Sequence, residues 1–199
     1  MSETLQKPDR RFYLCDGLSL AQKLLGKIIV SKSPEGDVSG IITETEAYMG
    51  TLDKAAHACS GRPTPRTEIL YGSGGFAYVY MIYGVYFCLN VSANGENIPE
   101  CALIRSLEPI DGLELMKKRR GTDDPHRLCR GPGCLSKALG LSKVSNGLDL
   151  CGETLYILNR PDLPEDLISA SKRRNIDYSG EAKDFLWRFT IKGSRFLSA

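Results

Sequence analysis

Phe76-Ala77-Tyr78-Val79-Tyr80-Met81-Ile82-Tyr83-Gly84-Val85-Tyr86-Phe87-Cys88-Leu89-Asn90-Val91 is the stretch whose reading decides the fold. No charged residue occurs between Ile69 and Gly95, so the choice is between a membrane span and sheet. Gly72, Gly74, Gly75, Gly84 and Asn90 interrupt the run. Its aromatic residues alternate, which suits strands and not a spanning helix. Two strands, 76–82 and 85–91, follow, joined tightly at Tyr83-Gly84. Tyr78 and Tyr80 then lie on one face.

Working outward, Lys27–Val30 and Gly40–Tyr48 read as an antiparallel pair around the turn Pro34-Glu35-Gly36-Asp37. Residues 101–107, 153–158 and 187–192 are further strands. Asp16–Gly26 reads as a short helix with Leu18, Ala21, Leu24 and Leu25 on one side, capped by Asp16 or Ser19 and ended by Gly26. Asp111 is predicted to cap a second helix, with Glu114 in the reciprocal position, running to Arg120-Gly121. Gly131-Pro132-Gly133 opens a third, stopped at Gly140. Two prolines keep Gly61–Arg66 an extended loop. No repeat or linker breaks the pattern. The expectation is an α+β protein: an N-terminal tail, residues 1–12, then a single domain, 13–199. Its curved, mostly antiparallel sheet is barrel-like and surrounded by short α-helices.

With 199 residues and 42% hydrophobic content, the chain can bury a sizeable core without metal or disulfide. A formal net charge of +2 means that any nucleic-acid partner must be met by a local basic surface. Seven cysteines, an odd set without CxxC spacing, read as reduced thiols of an intracellular protein. Met1–Arg11 contains no apolar signal segment. His126-x2-Cys129-x4-Cys134 lacks a fourth ligand, so no metal is expected. GxxxxGKS/T, HExxH and nucleophile-elbow motifs are absent from the sequence.

Glu44, Glu46 and Tyr48 alternate along one strand face, opposite Thr43 and Thr45. Such spacing fits a solvated face, or a buried glutamate able to activate water. It does not say which glutamate would act. A lone histidine such as His57 is commonly a satisfied structural residue, but beside Ala55-Ala56 it also suits a pocket for a flat ligand. Tyr83, at a hairpin tip, is placed to wedge between base pairs and fill the gap left by an extruded nucleotide. Arg62 and Arg66 in the proline loop are phosphate candidates. Lys117-Lys118-Arg119-Arg120 also matches what a helix C-terminus favours. Lys172-Arg173-Arg174 is a third basic cluster.

These residues resemble the alkyladenine (3-methyladenine) DNA glycosylase family from about Leu14 to Leu197. The pieces that carry the resemblance are Glu44-Thr45-Glu46-Ala47-Tyr48, Ala55-Ala56-His57, Thr64-Pro65-Arg66, Tyr80–Tyr86, Leu103–Pro109 and Trp187-Arg188-Phe189. The resemblance implies a monofunctional enzyme without cofactor or metal, acting as a monomer on double-stranded DNA that contains damaged purines. Glu46 would be the general base that deprotonates water, and Arg105 would place that water. Tyr48, His57 and Tyr80 would sandwich the extruded base, with His57 bonding its edge. Asn90 would exclude guanine, and Tyr83 would be the wedge. Two departures stand out. Cys134 occupies a usually basic position, for which Lys137 is a partial substitute one turn on. Arg173-Arg174-Asn175-Ile176 replaces the usual Arg-Ile-Gly-Ile. Two other readings are a non-catalytic nucleic-acid-binding module of related barrel fold, and a sugar hydrolase using Glu44 and Glu46. The last is disfavoured because adjacent carboxylates on one strand do not span a glycosidic bond well.

Overall fold

The structure, a computed structural model, describes residues 5–198. Residues 1–4 of the expected tail, and residue 199, lie outside the described residues. Its organising strand is β2, Val38–Tyr48, between β1, Ile28–Ser31, and β5, Glu100–Asp111. One edge of β2 pairs with β5 from end to end. The other edge is divided, with β1 on Val38–Ile41 and β8, Arg188–Ile191, on Glu44–Glu46. The hairpin of β3, Ala77–Ile82, and β4, Tyr86–Ala93, adds to β5. β6, Leu155–Leu158, adds to β1, and β7, Ile168–Ser171, to β8. Every pairing is antiparallel. The α+β class is as expected, but the sheet branches at β2 and does not close into a barrel: β3 and β6 end its main path.

Strand alternation divides the sheet into two faces with different tasks. Ala47, Ala77, Val79, Leu89, Val91, Ala102 and Ile104 point into the main core. There they meet Leu20, Ala21 and Leu24 of α1, Gly17–Leu24, and Leu135, Ala138 and Leu139 of α4, Pro132–Leu139. Their alternates Tyr48, Tyr78, Tyr80, Cys88, Asn90, Cys101, Leu103 and Arg105 line a cavity on the opposite face. The uncharged run 69–95 is therefore a hairpin with one dry side and one ligand-facing side. Among the described residues no helix is long and apolar enough to cross a membrane.

Local chemistry sets the helix ends. The Asp16 carboxylate accepts from the Ser19 N–H at 2.9 Å and caps α1. Asp111 does not cap α2, Leu113–Arg120. The chain leaves β5 through left-handed backbone at Gly112 (φ +73°), where a side chain would run into the Asp37 carbonyl. Asp111 instead accepts from Ser39 Oγ at 2.9 Å. The proline loop is less extended than expected: the Thr64 carbonyl accepts from the N–H groups of Thr67 and Glu68, which makes Pro65 a turn residue. A short helix α3, Pro125–Leu128, and strand β7 carry no clear periodicity and were not anticipated. In the stretch read as a tail, Pro8 is buried and Arg10 pairs with Asp149 at 2.6 Å.

A buried ion pair ties residues 173–184 across the cavity face. The Arg173 guanidinium grips both oxygens of Asp53 and donates to the carbonyls of Ala47 (2.9 Å) and Ala182 (3.2 Å). It lies between the rings of Tyr48 and Trp187, 4.8 and 4.9 Å from their centroids. Removing one member of such a pair strands the other charge in the interior. We therefore expect Asp53→Ala to lose about 3–5 kcal/mol of stability in urea unfolding. Unchanged stability would contradict this role for the pair.

Candidate active site

The floor of the cavity is built by paired irregularities in the β2–β5 ladder. Ile42 pairs with Leu107, Glu44 with Ser106 and Thr45 with Ile104, so Thr43 on β2 and Arg105 on β5 are each left without a partner. The two bulges offset one another, and the register is the same on either side. A bulge re-aims the side chain of its extra residue. Here it sets the Arg105 guanidinium between two carboxylates: Nε donates to Glu44 at 3.0 Å, and Nη1 lies 3.3 Å from Glu46.

Both glutamates are 0% exposed, which removes the solvated-face reading. Their surroundings differ. Glu44 accepts from Arg105 Nε, Arg188 Nε (2.6 Å), Ser106 Oγ (3.3 Å), and both the N–H (2.6 Å) and Oγ (2.7 Å) of Ser198. Five donors saturate the roughly four lone-pair directions of a carboxylate. Burial pushes the Glu44 pKa up, but the hydrogen bonds from Ser198 and Arg188 outweigh it, and the net direction is downward. Glu46 accepts only two hydrogen bonds, from the Arg174 N–H (2.9 Å) and the Tyr48 hydroxyl (2.9 Å), with Arg105 Nη1 beside it as an ion pair at 3.3 Å. Each oxygen of Glu46 keeps a direction open, the one on Oε1 beside Arg105, and Glu44 keeps none. Burial, then the Glu46 charge, raises the Tyr48 pKa well above its ordinary value, so it remains a donating phenol.

The cavity above this floor measures about 180 Å³. Glu46 does not line it directly; Tyr48 and Arg105, which hold Glu46, do. His57 and Tyr80 stand side by side, ring centroids 4.6 Å apart at 78°, and form one wall together. A base sandwiched between rings needs about 7 Å, twice a van der Waals contact of about 3.5 Å. The two therefore cannot flank a base between them. Asn90 is buried, its amide oriented by donation to the Tyr78 carbonyl at 3.2 Å.

The hydrogen bonds of His57 define its tautomer. Arg66 Nη2 lies 3.2 Å from Nε2 and can only donate, so Nε2 accepts and Nδ1 carries the proton toward the Tyr78 hydroxyl at 2.8 Å. Although the edge of the ring is exposed at the mouth, crowding by the cavity wall first, and the Arg66 charge second, lower its pKa to about 4. Arg66 also stacks over Tyr80, 4.7 Å from its centroid.

The rim is apolar and cationic. Tyr83 is 78% exposed and, with Gly84, has positive φ (+53° and +68°). The pair forms a type I′-like turn closed by the Val85 N–H on the Ile82 carbonyl. A bulky residue in left-handed backbone costs about 1–2 kcal/mol, and Tyr83 buries little in return. Tyr178, 74% exposed, lies on the lip formed by residues 174–178. Arg62 and Arg66 are both exposed. Several members of the other basic clusters are paired within the chain: Lys117 to Glu114, Lys118 and Arg119 to Glu35, Lys172 to Asp184 and Arg173 to Asp53. Beside Cys134, Arg120 of α2 brings a cation to 3.0 Å from the sulfur. His126 stacks on Phe196 and Cys129 packs against Met116, and among the described residues no group of three or more His, Cys, Asp or Glu converges as a metal site.

The fold thus brings together Glu46, Arg105, Tyr48, His57, Tyr80 and Asn90 around one cavity, with Tyr83 and Arg66 at its mouth and Arg62 four residues further along the loop. Ser198, the Arg174 N–H and Tyr178 were not singled out from sequence. A main-chain donor has no side-chain signature, and nothing near Ser198 marks it as a ligand of Glu44.

Comparison with known proteins matches residues 11–195 to the methylpurine-DNA glycosylase family. A Clostridium novyi protein named "Putative 3-methyladenine DNA glycosylase" is 44% identical, covering 98% of this chain and 99% of that protein. Proteins of the same name from Clostridium acetobutylicum and Desulfitobacterium hafniense are 46% and 42% identical, covering 95% and 98% of the chain. The chain belongs to the methylpurine-DNA glycosylase family, enzymes that hydrolyse the bond between base and sugar in DNA.

In an NMR titration of the folded protein, the His57 ring is expected to titrate near pH 4 in place of the ordinary 6.5. Its folded value lies below its unfolded one, so its contribution to stability is complete above pH 6.5 and lost as pH falls toward 4. Arg66→Ala should move the midpoint up. A wild-type midpoint near 6.5 would contradict the burial of the ring against the cavity wall and the proximity of Arg66.

Proposed function

We propose that this glycosylase extrudes an alkylated or deaminated purine (3-methyladenine, 7-methylguanine, hypoxanthine or ethenoadenine) from double-stranded DNA and hydrolyses its N-glycosidic bond with a water activated by Glu46. The observation that carries this reading is the unequal saturation of the two buried glutamates. Glu46 keeps a free lone-pair direction beside Arg105, under a cavity with aromatic walls, while Glu44 keeps none. A water held between Glu46 and Arg105 attacks C1′ of the deoxyribose. The new C–O bond forms as the C1′–N bond breaks, its electron pair leaves with the purine, and one water proton passes to Glu46; a cationic base such as 3-methyladenine or 7-methylguanine departs neutral, whereas hypoxanthine or ethenoadenine departs as an anion and takes up a proton from solvent. The products are a free base and an abasic site in an uncut strand, without metal or cofactor.

The extruded base lies between Tyr48 and the wall made by His57 and Tyr80. His57, neutral and with Nδ1 committed to Tyr78, offers Nε2 to the base edge once Arg66 turns to a phosphate. Asn90, locked by the Tyr78 carbonyl, meets the position that the exocyclic amine of guanine would take. Tyr83 fills the vacated stack, and Arg62, Arg66 and Arg174 surround the mouth with positive charge. One copy of the chain contains all of these groups, in keeping with a monomer working where the cell keeps its DNA.

Glu46→Gln should abolish release of hypoxanthine or ethenoadenine from duplex DNA, read as alkali-labile sites, by at least ~10²-fold while leaving abasic-site binding intact. Near-normal turnover would contradict the assignment. Binding of damaged duplex by wild type without any release would favour a silent binding module.

Tyr83→Asn gives the turn the Asn-Gly pair that positive φ prefers. The variant should fold at least as stably as wild type, bind damaged duplex more weakly by about 1–3 kcal/mol, and release base from single strands normally. Equal loss on both substrates would contradict the wedge.

A further inference from the structure

Arg105 is shared unequally. Its shorter contact is to Glu44, at 3.0 Å, and the longer, 3.3 Å, is to Glu46. What keeps Glu44 in place is the segment Phe196–Ser198. Ser198 donates to Glu44 twice, and its Oγ also accepts from Arg105 Nε (3.4 Å) and Nη2 (3.3 Å). One hydroxyl therefore touches both members of the pair. The bulged residue Thr43 anchors the segment through the Phe196 carbonyl at 2.7 Å, and the Phe196 ring stacks on His126 at 4.8 Å. The segment completes the coordination of a residue that does not line the cavity.

We propose that Glu44 and Ser198 are positioning residues for the hydrolysis: they draw the Arg105 cation away from Glu46 and so preserve the basicity of Glu46. This rests on Glu46 being the general base. The charged and titratable groups around Glu46 come from four strands and two loops. Arg105 on β5 and Arg188 on β8 are the cations, and Arg188 is committed to Glu44. Glu44 and Tyr48 lie on β2, Cys88 on β4, and Arg173, paired with Asp53, stacks on Tyr48. Removing the Glu44 charge subtracts a nearby anion and frees two cations. Both changes favour the ionised form of Glu46 and weaken it as a base. Removing the Ser198 hydroxyl lets Arg105 turn toward Glu46, with the same sign and smaller size.

The test is single-turnover base release from a hypoxanthine duplex across pH, for wild type, Glu44→Gln, Ser198→Ala, Ser198→Thr and Glu46→Gln, with abasic-duplex affinity and melting temperature measured alongside. Glu44→Gln is expected to slow release by about tenfold or more, within the ~10²-fold cost of ångström-scale misplacement, and to move the acidic limb to lower pH with affinity unchanged. Ser198→Ala should shift both quantities less, and Ser198→Thr, which keeps the hydroxyl, should restore them. Should Glu44→Gln fail to fold, the Ser198 pair gives the same readout. A wild-type rate and limb in Ser198→Ala and Glu44→Gln, or losses that track melting temperature with the limb unmoved, would overturn the proposal. Activity in Glu46→Gln would overturn the general-base reading itself. An inert Glu46→Gln beside a normal Glu44→Gln would overturn only the positioning role.

Discussion

A guanidinium shared by two buried carboxylates is the constraint on which the rest of this molecule depends. Ions removed from water must be paired and hydrogen-bonded, or the interior cannot hold them. Glu44, Glu46, Arg105 and Arg188 satisfy that requirement as two anions and two cations at the junction of β2, β5 and β8. The branching of the sheet follows the same need: β2 gives up part of one edge to β8, and β8 delivers Arg188 opposite Glu46. Stability alone would be served as well by apolar residues at these positions. Keeping four charges in the core makes sense if one carboxylate is to meet a substrate in a dry, structured setting, as the proposed mechanism requires.

Much of this was legible in the residues. Alternation in 76–91 and 40–48 predicted which side chains share a face, and Tyr48, Tyr80 and Asn90 do converge on the cavity. What alternation could not reveal is a change of register. The bulges at Thr43 and Arg105 bring together segments 62 residues apart, as at the pair Glu44 and Ser106, and no Gly or Pro marks either position. Backbone donors are silent in sequence for the same reason. Closure of the barrel was overestimated because the strand pattern says nothing of a strand that forks its pairing. Asp111 read as a cap because its spacing to Glu114 was right, but the left-handed turn at Gly112 took that place.

The departure from the family pattern at residues 174 and 175 has a physical account in the fold. Asn175 has φ +59°, a conformation that Gly adopts freely and Asn tolerates best among the other residues. At position 174 the contact to Glu46 is made by the main-chain N–H, so an arginine there leaves it intact and adds charge to the mouth. Tyr83 illustrates the opposite bargain. Held exposed in strained backbone, it is worse for folding than Asn would be, which is expected of a residue retained for contact with something outside the chain.

The central claim is that Glu46, sealed in the free protein, holds the attacking water once a damaged base enters. A crystal structure of the wild-type protein on duplex DNA carrying a non-hydrolysable damaged purine nucleotide tests this directly. The account predicts an ordered water about 2.6–3.2 Å from a Glu46 oxygen, also bonded to Arg105 and facing C1′. A seated base with Glu46 still closed behind Tyr48, and no water within reach of C1′, would contradict it.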